Sequence, residues 1–174
     1  MSTISSQEAT KEVFKSGFVT LIGRPSAGKS SLLNALMGKK LAISSPTAQT
    51  TRHRFRAVHT TDSHQIIIVD TPGVHKPHDT LGEELNTTAL KSLEGIDVAA
   101  FVLDASAPFG TGDEWVISQL AQCSMPKLLV LSKIDLVTQE ELDLQRQRAL
   151  EAGQWDGVVA LSSVTGEQID TFIE

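Results

Sequence analysis

The sequence predicts an α/β domain: a doubly wound, mostly parallel six-stranded sheet with one antiparallel edge strand and helices on both faces. Three observations predict it. Apolar β-type runs alternate with helical patterns from Gly17 to Glu174. Several runs are continuous, as in strands covered on both faces: Ile66-Ile67-Ile68-Val69, Val98-Ala99-Ala100-Phe101-Val102-Leu103 and Leu128-Leu129-Val130-Leu131. Finally, Gly23-Arg24-Pro25-Ser26-Ala27-Gly28-Lys29-Ser30 fits the spacing G-x-x-x-x-G-K-[ST] between a strand and a helix, the context a phosphate-binding P-loop requires.

The elements follow in order. Residues 1–16 are polar and read as a flexible tail. Gly17–Ile22 is the first strand, and Lys29–Met37 is the helix after the P-loop, ending at Gly38. Arg54–His59 and Gln65–Val69 flank the polar turn Thr60-Thr61-Asp62-Ser63; this hairpin supplies the antiparallel edge. A helical pattern covers Thr80–Leu93, and Ile96–Leu103 is a strand. Asp113–Gln122 and Gln139–Ala152 are helices, with Asp113 and Thr138 as N-caps. Lys127–Leu131 and Val158–Leu161 complete the strands. The last pattern, Gly166–Glu174, starts amphipathic and stops after about two turns without a closing cap, which reads as a helix cut short. The domain proper is expected over residues 17–174.

The length of 174 residues suits one domain with a real core. A net charge of −6 argues against this chain gripping a nucleic-acid backbone by itself. Cys123 is the single cysteine, so no intrachain disulfide forms, and it reads as a packing residue. No apolar run is long enough to cross a membrane, and the first residues do not read as a secretory signal. His53, His59, His64, His75 and His78 lack partners at metal-ligand spacing and read as loop and strand-surface residues.

The chemistry starts at the P-loop. Gly23, Arg24, Pro25, Ser26, Ala27, Gly28, Lys29, Ser30 and Ser31 form the expected nucleotide cradle. Its glycines let backbone N–H groups curl around a β-phosphate. Lys29 brings charge to the β- and γ-phosphates, and the Ser30 hydroxyl is placed for magnesium. The helix N-terminus adds donors and a positive dipole end. After the run Ile66–Val69 comes Asp70-Thr71-Pro72-Gly73: Asp70 holds magnesium through water, and the Gly73 backbone approaches the γ-phosphate. Within Gln49-Thr50-Thr51-Arg52-His53, Thr50 or Thr51 adds a second hydroxyl to magnesium when a γ-phosphate is present.

Ser132-Lys133-Ile134-Asp135 then narrows the base. Guanine offers N1–H and an exocyclic amine side by side; a carboxylate at Asp135 accepts both, and adenine lacks the pair. Lys133 lays its apolar stem over the base. The loop at Ser162 and Ser163 presents backbone N–H groups to guanine O6. Lys29, Thr51 and Gly73 are the expected catalytic contributors to hydrolysis of GTP to GDP and phosphate, and no general base stands out. Two other readings compete: a nucleotide-binding module with negligible turnover, and an ATPase.

In this order the five motifs resemble those of a small GTPase. Gly23-Arg24-Pro25, Ser31-Leu32-Leu33-Asn34 and Gln49-Thr50-Thr51-Arg52-His53-Arg54 are similar to the Era GTPases, with the related Der and MnmE-type GTPases as the alternative. The resemblance covers residues 17–174. It implies a bacterial, cytoplasmic GTPase of small ribosomal subunit assembly, with association at the inner face of the membrane also open. Era proteins bind 16S rRNA mainly through a C-terminal KH domain, which this sequence does not contain. Three departures stand out. Val74 follows Asp70-Thr71-Pro72-Gly73 where Ras-like GTPases place a water-orienting glutamine, so hydrolysis alone is expected to be slow. Ser26 stands where potassium-activated relatives use an asparagine, which puts potassium activation in doubt. Ser132 replaces the usual asparagine of the base motif, so a contact to guanine N7 is expected to be lost or water-mediated.

Overall fold

In the computed structural model, which describes residues 14–38, 54–70 and 93–174, the apolar runs become six strands. They are β1 (Lys15–Ile22), β2 (Arg54–Thr60), β3 (His64–Asp70), β4 (Val98–Asp104), β5 (Lys127–Ser132) and β6 (Gly157–Ala160). The helices are α1 (Lys29–Met37), α2 (Thr111–Leu120), α3 (Gln139–Ala152) and α4 (Ile169–Ile173), with a 3-10 turn at Ile134–Leu136. The sheet order is β2-β3-β1-β4-β5-β6. All neighbours are parallel except β2 and β3. The β2–β3 turn is closed by Thr61, whose Oγ1 accepts the Ser63 and His64 N–H groups at 3.3 and 3.0 Å.

β4 shows why its sequence is continuous. It lies between β1 and β5, and Ala99 through Leu103 are all buried. Successive side chains point to opposite faces. Phe101 and Leu103 join Val116 and Leu120 of α2 and Ala149 of α3 on one face. Ala100 and Val102 join Leu32 and Leu36 of α1 and Ile169 of α4 on the other. The larger side chains of the first face include a ring stack of Phe101 on Trp155, with centroids 5.6 Å apart. Cys123 packs against this same core, as its lack of a surrounding motif suggested.

Several boundaries differ from the sequence reading. Lys15 and Ser16, expected in the tail, pair with His64 and Gln65 and belong to β1. α2 starts at Thr111 with Gly110 as its N-cap, so Asp113 is not the cap; it is the third helical residue and accepts the Gly110 N–H at 3.1 Å. A glycine offers no side chain to signal a cap, which hid the true start. Thr138 does cap α3: its Oγ1 accepts the Glu141 N–H at 3.3 Å, and the Glu141 carboxylate accepts the Thr138 N–H at 2.8 Å. The last helix is shorter than Gly166–Glu174, because Gly166 (φ 80°) and Gln168 (φ 57°) are left-handed and no helix passes through them. The predicted helix over Thr80–Leu93 lies outside the described residues except for Leu93, a buried turn residue.

Candidate nucleotide site

The predicted motifs that fall on described residues gather at the C-terminal ends of the parallel strands, where open α/β sheets bind ligands. The P-loop leaves β1 at Gly23. A Cβ there would lie 2.3 Å from the Val102 carbonyl oxygen of β4, so only glycine brings the chain this close. Gly28, the residue before α1, sits at φ 97° beside Ser132, whose Oγ would be 3.3 Å from an added Cβ. A side chain at Gly23 would push the loop off β4, and one at Gly28 would strain a left-handed backbone and crowd Ser132.

Lys29 opens α1. Its Nζ donates to the carbonyls of Gly23 at 2.7 Å and Arg24 at 2.6 Å, so the ammonium is folded over the loop it serves. Burial pushes its pKa down, and phosphate oxygens at this point would relieve that penalty. No side chain caps α1, and the exposed Ser30 and Ser31 hydroxyls stand in its first turn. Donors, dipole end and cation therefore converge on one spot suited to an anion.

The base side is built from the next strand ends. Lys133, left-handed at φ 60°, pairs with Asp104 at the end of β4 at 2.5 Å. Burial pushes the Asp104 carboxyl up, but hydrogen bonds from Lys133 and Ser106 outweigh it and hold the group below its ordinary value. Asp135 is exposed on the 3-10 turn. The buried Ser162 donates its hydroxyl to Asp135 Oδ1 at 2.5 Å and accepts the Val164 and Thr165 N–H groups at 3.2 and 3.1 Å. The carboxylate that would read guanine is thus held by a serine which is itself held by two backbone amides.

Three expected roles take a different form. The Ser162 N–H does not face a base; it donates to the Glu167 carbonyl at 3.1 Å, and the residue contributes its hydroxyl instead. Ser132 is buried, with Oγ 2.6 Å from the Ala27 carbonyl and 3.1 Å from the Leu103 carbonyl. Its one proton is committed to the P-loop and β4, so this side chain tethers the loop. Arg24 gives the site its carbonyl, while its guanidinium goes to Asp113 at 2.9 Å. The sequence had not suggested Asp104, and had singled out Asp113 only as a helix cap; an acid in the first turn of α2 was the available signal for the latter. Asp70 ends β3, beside β1 and its P-loop exit. Thr50, Thr51, Thr71, Pro72 and Gly73 lie outside the described residues.

Residues 18–133 match the family model described as a 50S ribosome-binding GTPase. The chain belongs to that GTPase family. Among curated proteins, the GTPase Era of Leuconostoc citreum is 41% identical over 166 residues, covering 94% of this chain and 55% of the relative. The GTPase Era of Nostoc is 44% identical over 158 residues, covering 90% and 48%. The chain therefore spans about half the length of these relatives. Among solved structures, Era in complex with MgGDPNP and nucleotides 1506–1542 of 16S ribosomal RNA superposes with a TM-score of 0.72 at 34% identity, covering 92% of this chain and 55% of that one. An Aquifex aeolicus Era variant bound to GDP and aluminium fluoride gives 0.69 at 33%, with the same coverages. The GTPase fold and the Era resemblance read from the five motifs are both borne out.

Proposed function

We propose that this GTPase-family domain binds GTP and GDP with magnesium and hydrolyses GTP, as the nucleotide switch of an Era-like protein acting on small-subunit ribosomal RNA. The observation that carries the reading is the placement of Lys29 and the Asp135–Ser162 pair at one edge of the sheet, a phosphate cradle beside a fixed carboxylate. On this reading Lys29 Nζ exchanges its two carbonyl acceptors for β- and γ-phosphate oxygens and stabilises charge on the transferring group. The loop amides add to this without reorganising. Ser30, Asp70 and either Thr50 or Thr51 would hold magnesium, which neutralises charge between the β- and γ-phosphates. Ser30 fits the role by its exposed hydroxyl in the first turn of α1.

Guanine selection falls to Asp135. The apolar Val74 after Gly73 supplies no group to orient water, so turnover by this domain alone is slow. Ser26 brings no amide carbonyl to a monovalent ion, and comparing hydrolysis in potassium and sodium salts tests whether potassium activates it. The RNA role rests on the Era relatives and on the 16S RNA in the solved Era complex, and a cytoplasmic site of action goes with this reading.

Phosphate release from GTP with magnesium tests the reading. Turnover above the buffer rate supports a hydrolase. Turnover at the buffer rate, with GDP still bound, reduces the protein to a nucleotide-binding module. Displacement of labelled GDP by ATP as readily as by GTP would remove the guanine assignment.

A further inference from the structure

Arg24 is the second residue of the P-loop, and its side chain leaves the loop for α2. Its Nη1 donates to Asp113 Oδ2 at 2.9 Å. Asp113 is only 2% exposed, and the same oxygen accepts the Gly110 N–H at 3.1 Å. A carboxylate buried to this degree requires partners, and the amide alone would leave its charge uncompensated. The path of the arginine stem is also set. It crosses Gly112, where an added Cβ would lie 3.4 Å from Arg24 Cδ.

The backbone of the same residue works on the phosphate side. The Arg24 carbonyl accepts from Lys29 Nζ at 2.6 Å and from the Ala27 N–H at 3.3 Å. Turning the Arg24 peptide therefore moves the seat of the lysine. On either side the loop is tied to the sheet, at Gly23 against Val102 and at Ala27 through Ser132. The Arg24 side chain ties the loop to α2.

We propose that the Arg24–Asp113 ion pair is a positioning device: it holds the P-loop in its phosphate-binding shape and makes nucleotide retention depend on the N-terminus of α2. This inference rests on the nucleotide reading above. Neither side chain reads the base, so loss of the pair speeds release of GDP and leaves the preference for guanine unchanged.

The test measures release of a fluorescent GDP analogue from the full chain, together with thermal melting. Arg24→Gln removes the bridge. Asp113→Asn removes the charge, while its amide oxygen still accepts the Gly110 N–H. The double variant buries no charge and keeps that cap. Release is expected to quicken about tenfold in each variant, the size of a typical coupling between sites. It is not multiplied in the double variant, because one interaction is lost once. The double variant is further expected to melt near the parent and still release fast. A pair that served only to stabilise the fold would instead let release slow again as melting recovers. Parental release in Arg24→Gln, or slow release restored in the double variant, overturns the proposal. Should Arg24→Gln fail to fold, the double variant decides alone. If the parent chain does not bind the GDP analogue at all, the nucleotide reading falls and this inference with it.

Discussion

Asp135 and Ser162 form the smallest unit of the candidate site. The carboxylate is exposed, and the buried Ser162 hydroxyl fixes its orientation. Ser162→Ala leaves Asp135 untethered and takes an acceptor from two amides. GDP affinity is expected to fall about tenfold, the worth of one charge-assisted hydrogen bond, read by calorimetry. Asp135→Asn turns an NH2 donor toward guanine's own donors, and guanine preference should be lost in competition against ATP. If that variant still chose guanine, Asp135 would not be the reader. Lys29 carries a pH prediction with two signs. Burial lowers its pKa from 10.5, so its charged form is penalised in the nucleotide-free fold. Apo stability is then expected to rise as pH climbs through the folded pKa toward 10.5, while GDP affinity falls over the same range as the cation is lost. Melting and binding measured along one pH series check both signs.

The elements hold these residues by their ends. Asp104 closes β4, and its register partner Ser132 closes β5, with Lys133 one residue further on. The Asp104–Lys133 pair therefore ties two strand ends and the base motif together. Since the carboxyl sits below its ordinary 3.8, this contribution is complete at neutral pH and is lost as pH falls through the folded value, below 3.8. Asp104→Asn should flatten that acid limb of the melting curve. The capping box of α3 is lost in the same direction: hydrogen bonds from the Thr138 N–H and hydroxyl lower the pKa of Glu141 from 4.5, so it unlocks as pH falls below that value. Thr138→Ala is expected to cost about 3 °C in melting temperature, the usual effect of a lost cap in a domain of this size. Thr138 was legible in the sequence because a threonine three residues before a glutamate is a side-chain signal. The start of α2 was not, because its cap is a glycine and the informative residue, Asp113, lies inside the helix.

At the scale of the molecule, the sheet order places the ends of β1, β3, β4, β5 and β6 along one edge, and every described motif stands on that edge. The overall charge of −6 makes the domain a poor partner for RNA by itself. Binding of an RNA corresponding to nucleotides 1506–1542 of 16S rRNA, the segment in the solved Era complex, is therefore expected to be weak and strongly reduced by salt for this chain. Tight, salt-insensitive binding measured by filter retention would show that the domain carries an RNA surface of its own.

The sequence by itself determined the strands, the helices after the P-loop and around α3, and the motifs at the two ends of the candidate site. Those signals are local: a run of apolar residues, a spacing of glycines, a capping threonine. Only the tertiary structure decided what Arg24, Ser132 and Ser162 do. Their partners are Asp113, Ala27 and Asp135, at sequence separations of 89, 105 and 27 residues. A hydroxyl or guanidinium does not reveal its partner in its neighbours along the chain. It takes the nearest unsatisfied group that packing delivers, and that is settled only when the strand ends meet.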